Sequence, residues 1–256
     1  MKLKILGTCS GLEPYPGRFH TSFLLIADDK TYWFDAGGDC SRNASLSGVD
    51  LLSTRAVFLS HTHMDHIGGL PALLWDIRKL CTVRRTEPFY PIDVYLPDLR
   101  AWDGIMTLLS CTEGGYQHDF PLDAHRVSDG LVFRDENVTV RAFHNFHLPE
   151  REDGFLSFSF RAETAETSFV FSGDLRKIEE LDPVIGDGCD LLLCETGHHT
   201  VADVGEYIKV KNRSVGQVLF LHHGRSVLAD MDTASEETKR FPCPARLLSE
   251  GDEILL

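Results

Sequence analysis

The sequence predicts an α/β protein built as a four-layer αββα sandwich, and three observations lead there. Short apolar strand runs dominate the first sixty residues, helical periodicity follows them, and this succession occurs in two successive halves of the chain. With 256 residues, 43% hydrophobic and 25% charged, residues 1–256 are expected to form a single domain with a substantial core.

The runs at 3–6, 22–26, 32–34 and 56–59 are apolar and are separated by turn clusters such as Asp28-Asp29-Lys30 and Gly37-Gly38-Asp39, a β-meander pattern. From there Ile67, Leu70, Leu73, Leu74, Ile77 and Leu80 recur near helical period, predicting a helix over 67–80. The segment His61-Thr62-His63-Met64-Asp65-His66 is thereby expected in a strand-to-helix loop. Further strands are expected at 92–96, 138–143, 156–160, 168–171, 191–194 and 218–221, and helices at 99–109, 201–210 and 227–239.

No stretch approaches the roughly 18 apolar residues of a membrane span. The apolar run at the N-terminus is too short for a signal peptide, so a cytoplasmic protein without membrane contact is expected. Seven cysteines, odd in number and without CxxC spacing, fit a reducing compartment rather than a disulfide framework. A formal charge of −14 repels polyanions over most of the surface, and on that ground nucleic acid is disfavoured as a partner.

Three histidines and an aspartate within six residues are a dense set of nitrogen and oxygen metal ligands. The HxHxDH pattern of His61, His63, Asp65 and His66 resembles the signature of the metallo-β-lactamase superfamily, and further motifs of that family follow its order. Tyr32-Trp33-Phe34-Asp35 resembles the strand whose terminal aspartate orients the ligand loop, which gives that role to Asp35. Between Val140 and Pro149 stand His144 and His147; His147 fits the family's histidine ahead of a glycine-aromatic pair, here Gly154-Phe155, with His144 as its rival. Ser172-Gly173-Asp174 is similar to the motif whose aspartate bridges two metals, and His222, with His223 as alternative, stands where the last ligand follows a strand. The resemblance therefore implies the metallo-β-lactamase fold, with His61, His63 and His147 on one metal, Asp65, His66 and His222 on the other, and Asp174 on both.

Such a donor set accepts zinc first, with manganese or iron as alternatives. Two divalent cations in one site lower the pKa of a shared water and offset negative charge that develops on a phosphoryl or carbonyl oxygen, so a hydrolase is implied, with Asp65 also orienting or deprotonating the water. Glu195 and His198-His199-Thr200 resemble the glutamate and histidine motifs of the ribonuclease Z and phosphodiesterase branch, where such a pair delivers a proton to the leaving oxygen. This implies catalytic roles for Glu195 and His198, with His199 as rival, although the spacing is shorter here than in ribonuclease Z.

With the loop from Gly11 to Arg18, these motifs favour a phosphodiesterase acting on a small-molecule phosphoester. The alternative is a tRNA 3′-processing endoribonuclease, against which stands the lack of a glycine- and proline-rich basic arm between residues 70 and 130. An iron-bound redox or sensor protein is the alternative of another class, and a homodimer fits the family.

Overall fold

The computed structural model describes residues 1–11, 15–112, 115–211 and 214–256; residues 12–14 of the loop noted above lie outside the described residues. In chain order the strands are β1 (Lys2–Gly7), β2 (Ser22–Ala27), β3 (Lys30–Phe34), β4 (Thr54–Phe58), β5 (Ile92–Leu96), β6 (Leu122–Arg126) and β7 (Gly130–Arg134). They continue with β8 (Thr139–His144), β9 (Phe158–Glu163), β10 (Ser168–Phe171), β11 (Cys189–Thr196), β12 (Val215–His223), β13 (Ala245–Leu247) and β14 (Glu253–Leu255). The helices are α1 (Cys40–Leu46), α2 (Met64–Ile67), α3 (Leu70–Arg84), α4 (Leu99–Ser110), α5 (Asp182–Ile185), α6 (Val201–Lys211), α7 (Arg225–Ala229) and α8 (Met231–Thr238).

Two compact units each carry one seven-stranded sheet. The first comprises Met1–Gly7, Pro14–Val127 and Glu250–Leu256, with strand order β14-β1-β2-β3-β4-β5-β6. Its strands pair antiparallel from β14 to β3 and parallel from β3 to β6. Parallel neighbours need crossovers, which α1, α3 and α4 supply. These helices cover one sheet face, where Leu24, Trp33, Val57 and Val94 pack with Ala44, Leu70, Leu74, Ile77 and Ile105.

The opposite face carries an aromatic ladder. Phe23 pairs with Phe34, Phe34 with Phe58, and Phe58 with Tyr95 across successive strands, and the ring centroids lie 5.1, 5.1 and 5.3 Å apart. Each buried phenylalanine contributes about 1.5–3 kcal/mol. A slip of one residue would turn the whole ladder to the wrong face, so the row fixes the register of β2 to β5 and with it where each strand ends.

The second unit comprises Thr8–Glu13 and Ser128–Ser249, with order β13-β12-β11-β10-β9-β8-β7. It is parallel from β13 to β10 and antiparallel from β10 to β7. Val170, Leu192, Val218 and Phe220 pack with Val184 and Ile185 of α5, Val204 and Ile208 of α6, Val227 of α7 and Ala234 of α8.

The structure departs from the expected elements in two places that matter. The helix expected over 67–80 is broken: α2 ends at Ile67, Gly68 and Gly69 intervene, and α3 begins at Leu70. Asp65 and His66 therefore sit on a helical turn and not in a loop. The break follows from close backbone approach, because Gly69 N donates to Ala36 O at 2.8 Å and a Cβ on Gly69 would land on Gly37 O and 2.7 Å from Cys40 Sγ. The helix expected over 227–239 is likewise two, divided at Asp230, whose carboxylate accepts from Thr233 N at 3.0 Å and caps α8. Among the elements outside the expected runs are α1, the half-exposed edge strands β6 and β7, and the three-residue β13 and β14.

No helix among the described residues is long and apolar enough to cross a membrane. All seven cysteines are free thiols. Replacing Gly69 with alanine is expected to destabilise the protein by about 1–3 kcal/mol through overpacking against the 36–40 segment, read as a lower midpoint in denaturant unfolding; an unchanged midpoint would show that the segment has room to shift.

Candidate metal centre

In the first unit the ligand segment is organised by Asp35, the residue after β3. Its backbone takes the left-handed conformation (φ 54°), uncommon outside glycine, and its N donates to Phe58 O at 2.9 Å. The turn aims a fully buried carboxylate at the chain after β4: Oδ1 accepts from Ser60 N at 2.7 Å, and Oδ2 accepts from Ser60 Oγ at 2.9 Å and from His66 Nδ1 at 2.6 Å. With Nδ1 donating, His66 Nε2 keeps its lone pair for a cation. Ser60 Oγ, its proton given to Asp35, accepts in turn from His61 Nδ1 at 3.1 Å, which leaves His61 Nε2 in the same state.

Around this anchor the predicted ligands converge. The rings of His61 and His63 lie 4.6 Å apart, those of His61 and His66 4.1 Å apart, and Asp65 Oδ2 is 3.3 Å from His66 Nε2. His61, Asp65 and His66 are buried, whereas His63 is exposed.

In the second unit the centre of the cluster is Asp174, three residues beyond β10 and 3% exposed. Its Oδ1 is 3.3 Å from His222 Nε2, and its Oδ2 is 3.7 Å from His147 Nε2 and 3.8 Å from His198 Nδ1. The two oxygens thus address different histidines. One donor atom from each of Asp174, His198 and His222 lies within 4.8 Å of the others. Imidazole nitrogen and carboxylate oxygen are donors that zinc, manganese and iron accept, so the chemistry in both units fits divalent cations.

Glu195, near the end of β11, is fully buried beside this cluster. Its Oε2 accepts from His198 N at 2.7 Å, and its Oε1 lies 3.4 Å from both Leu175 N and His198 Nδ1. Glu195 N donates to Ser172 Oγ at 3.0 Å, which ties the carboxyl to the motif that carries Asp174. Burial pushes the neighbouring Cys194 thiol well above its ordinary range, and burial raises Cys40 to about 12, so both remain neutral thiols and not soft ligands.

The rival histidines occupy different surroundings. His144 closes β8 with Nδ1 2.6 Å from Asp129 Oδ2 and its ring stacked on Phe155 at 3.7 Å. His223 has both ring nitrogens engaged, accepting from Thr196 Oγ1 at 3.0 Å and donating to Leu248 O at 2.9 Å. His199 Nε2 is 4.0 Å from Glu195 Oε1, farther than His198. Arg18 pairs with Glu250 at 2.8 Å.

Three supporting residues escaped the sequence reading. Ser60 links Asp35 to two ligands, and its signal was its place directly before His61. Asn145 is buried, its Oδ1 accepting from His147 N at 3.2 Å and its carbonyl from Ser157 Oγ at 3.1 Å, so it sets the direction of the His147 loop. Gly197 lies against His222, where a Cβ would stand 2.6 Å from Nδ1.

Asp35→Asn keeps the volume but replaces one acceptor oxygen with an amide donor, which removes the partner that fixes the His66 tautomer. Metal affinity is expected to fall about 10–100-fold, measured by competition with a chromophoric chelator, with unfolding still cooperative; wild-type affinity would refute the orienting role.

A ribonuclease Z of Methanothermobacter thermautotrophicus is 31% identical over 142 residues, 55% of this chain and 42% of that protein. The chain spans less than half the length of the first curated relatives it matches. Human tRNase Z, short form, superposes with a TM-score of 0.68 at 19% identity, covering 100% of this chain and 99% of that one. The metallo-β-lactamase fold protein YhfI of Bacillus subtilis superposes with a TM-score of 0.73 at 16% identity, covering 99% of this chain and 98% of its own. The expected fold class, the α/β metallo-β-lactamase fold, is thereby shown.

These comparisons also correct one expectation. Nucleic acid was disfavoured on net charge, yet the curated relatives are named ribonuclease Z and a whole-chain structural neighbour is tRNase Z. A charge of −14 sums the whole surface, whereas a polyanion meets one face, whose local sign that sum does not give. Over residues 1–226 the sequence matches the family described as anti-Pycsar protein Apyc1, and the chain belongs to that family, with the metallo-β-lactamase fold.

Proposed function

We propose that the chain is a binuclear metal-dependent phosphodiesterase. The observation that carries this reading is the buried Glu195 holding His198 beside Asp174, a carboxylate-imidazole pair suited to proton delivery next to a carboxylate suited to sharing two cations. In this reading His61, His63 and His147 hold one ion, Asp65, His66 and His222 the other, and Asp174 both. Zinc is the first choice, with manganese or iron as alternatives. When bound, the ions supply Lewis acidity and an activated water.

The chain's own residues do the rest. Asp65, 9% exposed and 3.3 Å from His66 Nε2, orients the attacking water and takes its proton. His198, its backbone N and ring both turned to Glu195, hands a proton to the leaving oxygen, and Glu195 stabilises the charged imidazole while this happens. Ester oxygens of a phosphodiester are poor leaving groups without such a proton, whereas a thioester needs none, which favours phosphoester over thioester cleavage.

Two substrate readings follow. A small phosphodiester is favoured by the chain between 70 and 127, in which α3, α4, β5 and β6 all belong to one sheet and its helical cover. An RNA phosphodiester is favoured by the relatives named ribonuclease Z.

Metal quantification coupled to turnover of aryl phosphodiesters, phosphomonoesters, thioesters, lactams and precursor tRNA tests the reading. About two divalent ions per chain and selective diester cleavage are expected; an iron centre with redox-active spectra and no hydrolysis would overturn it. Asp65→Ala is expected to reduce diester turnover at least 100-fold with the unfolding transition largely intact, and wild-type-like activity would remove Asp65 from the mechanism.

A further inference from the structure

Proton delivery falls to His198, which leaves the adjacent His199 without a task in the reaction. The His199 side chain is 14% exposed, and its Nε2 is a buried atom with no hydrogen-bond partner among the described residues. Native structures hold few such atoms, so this one calls for an explanation. It lies 4.0 Å from Glu195 Oε1.

That oxygen is itself weakly held. Glu195 is 0% exposed, and its Oε2 accepts from His198 N at 2.7 Å, whereas Leu175 N and His198 Nδ1 stand off from Oε1 at 3.4 Å. A carboxylate removed from water keeps its charge when donors surround it. Oε1 therefore stands between two imidazoles, the half-exposed His198 on one side and the buried nitrogen of His199 on the other.

The backbone next to His199 is fixed. Asp203 Oδ2 accepts from Thr200 N at 3.0 Å and from Thr200 Oγ1 at 2.7 Å, and Asp203 N donates to Thr200 Oγ1 at 3.1 Å, a reciprocal cap at the start of α6. The ring also lines a cavity of about 480 Å³ together with Lys177, Asp203 and Tyr207, a wall to which Glu195 does not contribute. His199 thus shields the carboxylate from that cavity and presents one nitrogen to it.

We infer that His199 is a positioning residue for proton delivery: its Nε2–H donates to Glu195 Oε1 and keeps that carboxylate ionised and aimed at His198 while His198 serves the leaving oxygen. The inference deepens the phosphodiesterase reading and rests on it. A displacement of about 1 Å brings the two atoms into hydrogen-bond range. As the P–O bond breaks, its electron pair stays on the leaving oxygen, which takes the proton of the charged His198 imidazole. His198 is left neutral and its pull on Glu195 weakens, so the His199 N–H then carries the carboxylate. Glu195 stays ionised throughout, and His199 neither gains nor loses a proton.

The test compares two diesters that differ in the need of the leaving oxygen for a proton, methyl phenyl phosphate and methyl p-nitrophenyl phosphate, on metal-loaded protein. His199→Leu keeps an apolar cover without a donor. It should lower kcat on the phenyl ester about tenfold or more at unchanged KM, and leave the nitrophenyl ester within about twofold. His199→Gln, whose amide reaches about as far as Nε2, should restore the phenyl ester. His199→Asn, a donor too short to reach Oε1, should show the same selective loss as the leucine variant and stands in for it should that variant fold poorly. Equal losses on both esters, or no selective loss on the phenyl ester, would overturn the role.

If the wild type cleaves neither ester, the phosphodiesterase reading fails. In that event, or if it cleaves the nitrophenyl ester alone, denaturant midpoints of Glu195→Gln, His199→Leu and the double variant decide the contact separately. A loss in the double variant smaller than the two single losses added together supports it, and additive losses refute it.

Discussion

The carboxyl of Asp35 has no contact with water, and the surrounding chain is arranged so that three donors meet it. Leaving such a group unsatisfied would cost about 1–3 kcal/mol per lost partner, so the Ser60 and His66 positions are held by the need to satisfy it. The backbone repeats the constraint: Asp35 N reaches Phe58 O, Ala36 N reaches His66 O, and Gly69 N reaches Ala36 O. The end of β3 is thereby stitched to the whole ligand segment from β4 to the start of α3. The aromatic ladder below sets the register that brings these groups level, so core packing and ligand geometry are one problem in this unit.

Both sheets combine a parallel half with an antiparallel half, and most site residues emerge where parallel strands end. Asp35 follows β3, His61 follows β4, Asp174 follows β10, Glu195 lies near the end of β11 and His222 near the end of β12. At those ends the chain must leave the sheet for a crossover, so side chains there are free to converge without breaking a ladder. The bend is visible in the backbone, since Asp35 and His222 both take positive φ, at 54° and 52°. His147 is the exception. It follows an antiparallel strand, β8, and its loop is held by Asn145 and Ser157 instead of by a crossover.

Much of this was legible because local chemistry and tertiary role coincide. The apolar runs at 92–96 and 168–171 match β5 and β10, and HxHxDH and SGD mark donors that are near one another in sequence. What stayed hidden depends on partners far along the chain. The break at Gly68-Gly69 looks like a tolerated interruption in a helical period, and only the approach of residues 36–40 makes it obligatory. Strand β6, Leu122-Asp123-Ala124-His125-Arg126, has no apolar run because it is an edge strand, yet His125 extends the aromatic ladder by stacking on Tyr95 at 4.8 Å. Net charge misled about nucleic acid for the same reason, since a sum over the chain carries no position.

The sheet of the first unit is closed by β14, whose Glu253 reaches both Lys2 and Lys4 of β1 across 251 and 249 residues of sequence. On the ribosome, β1 is made well before this edge partner. The second unit is complete by Ser249, before its neighbour has its final strand. During synthesis the β1 edge is therefore open to unintended strand pairing, and lysines at positions 2 and 4 place positive charges along that edge, which is how natural sheets discourage such pairing until the proper strand arrives.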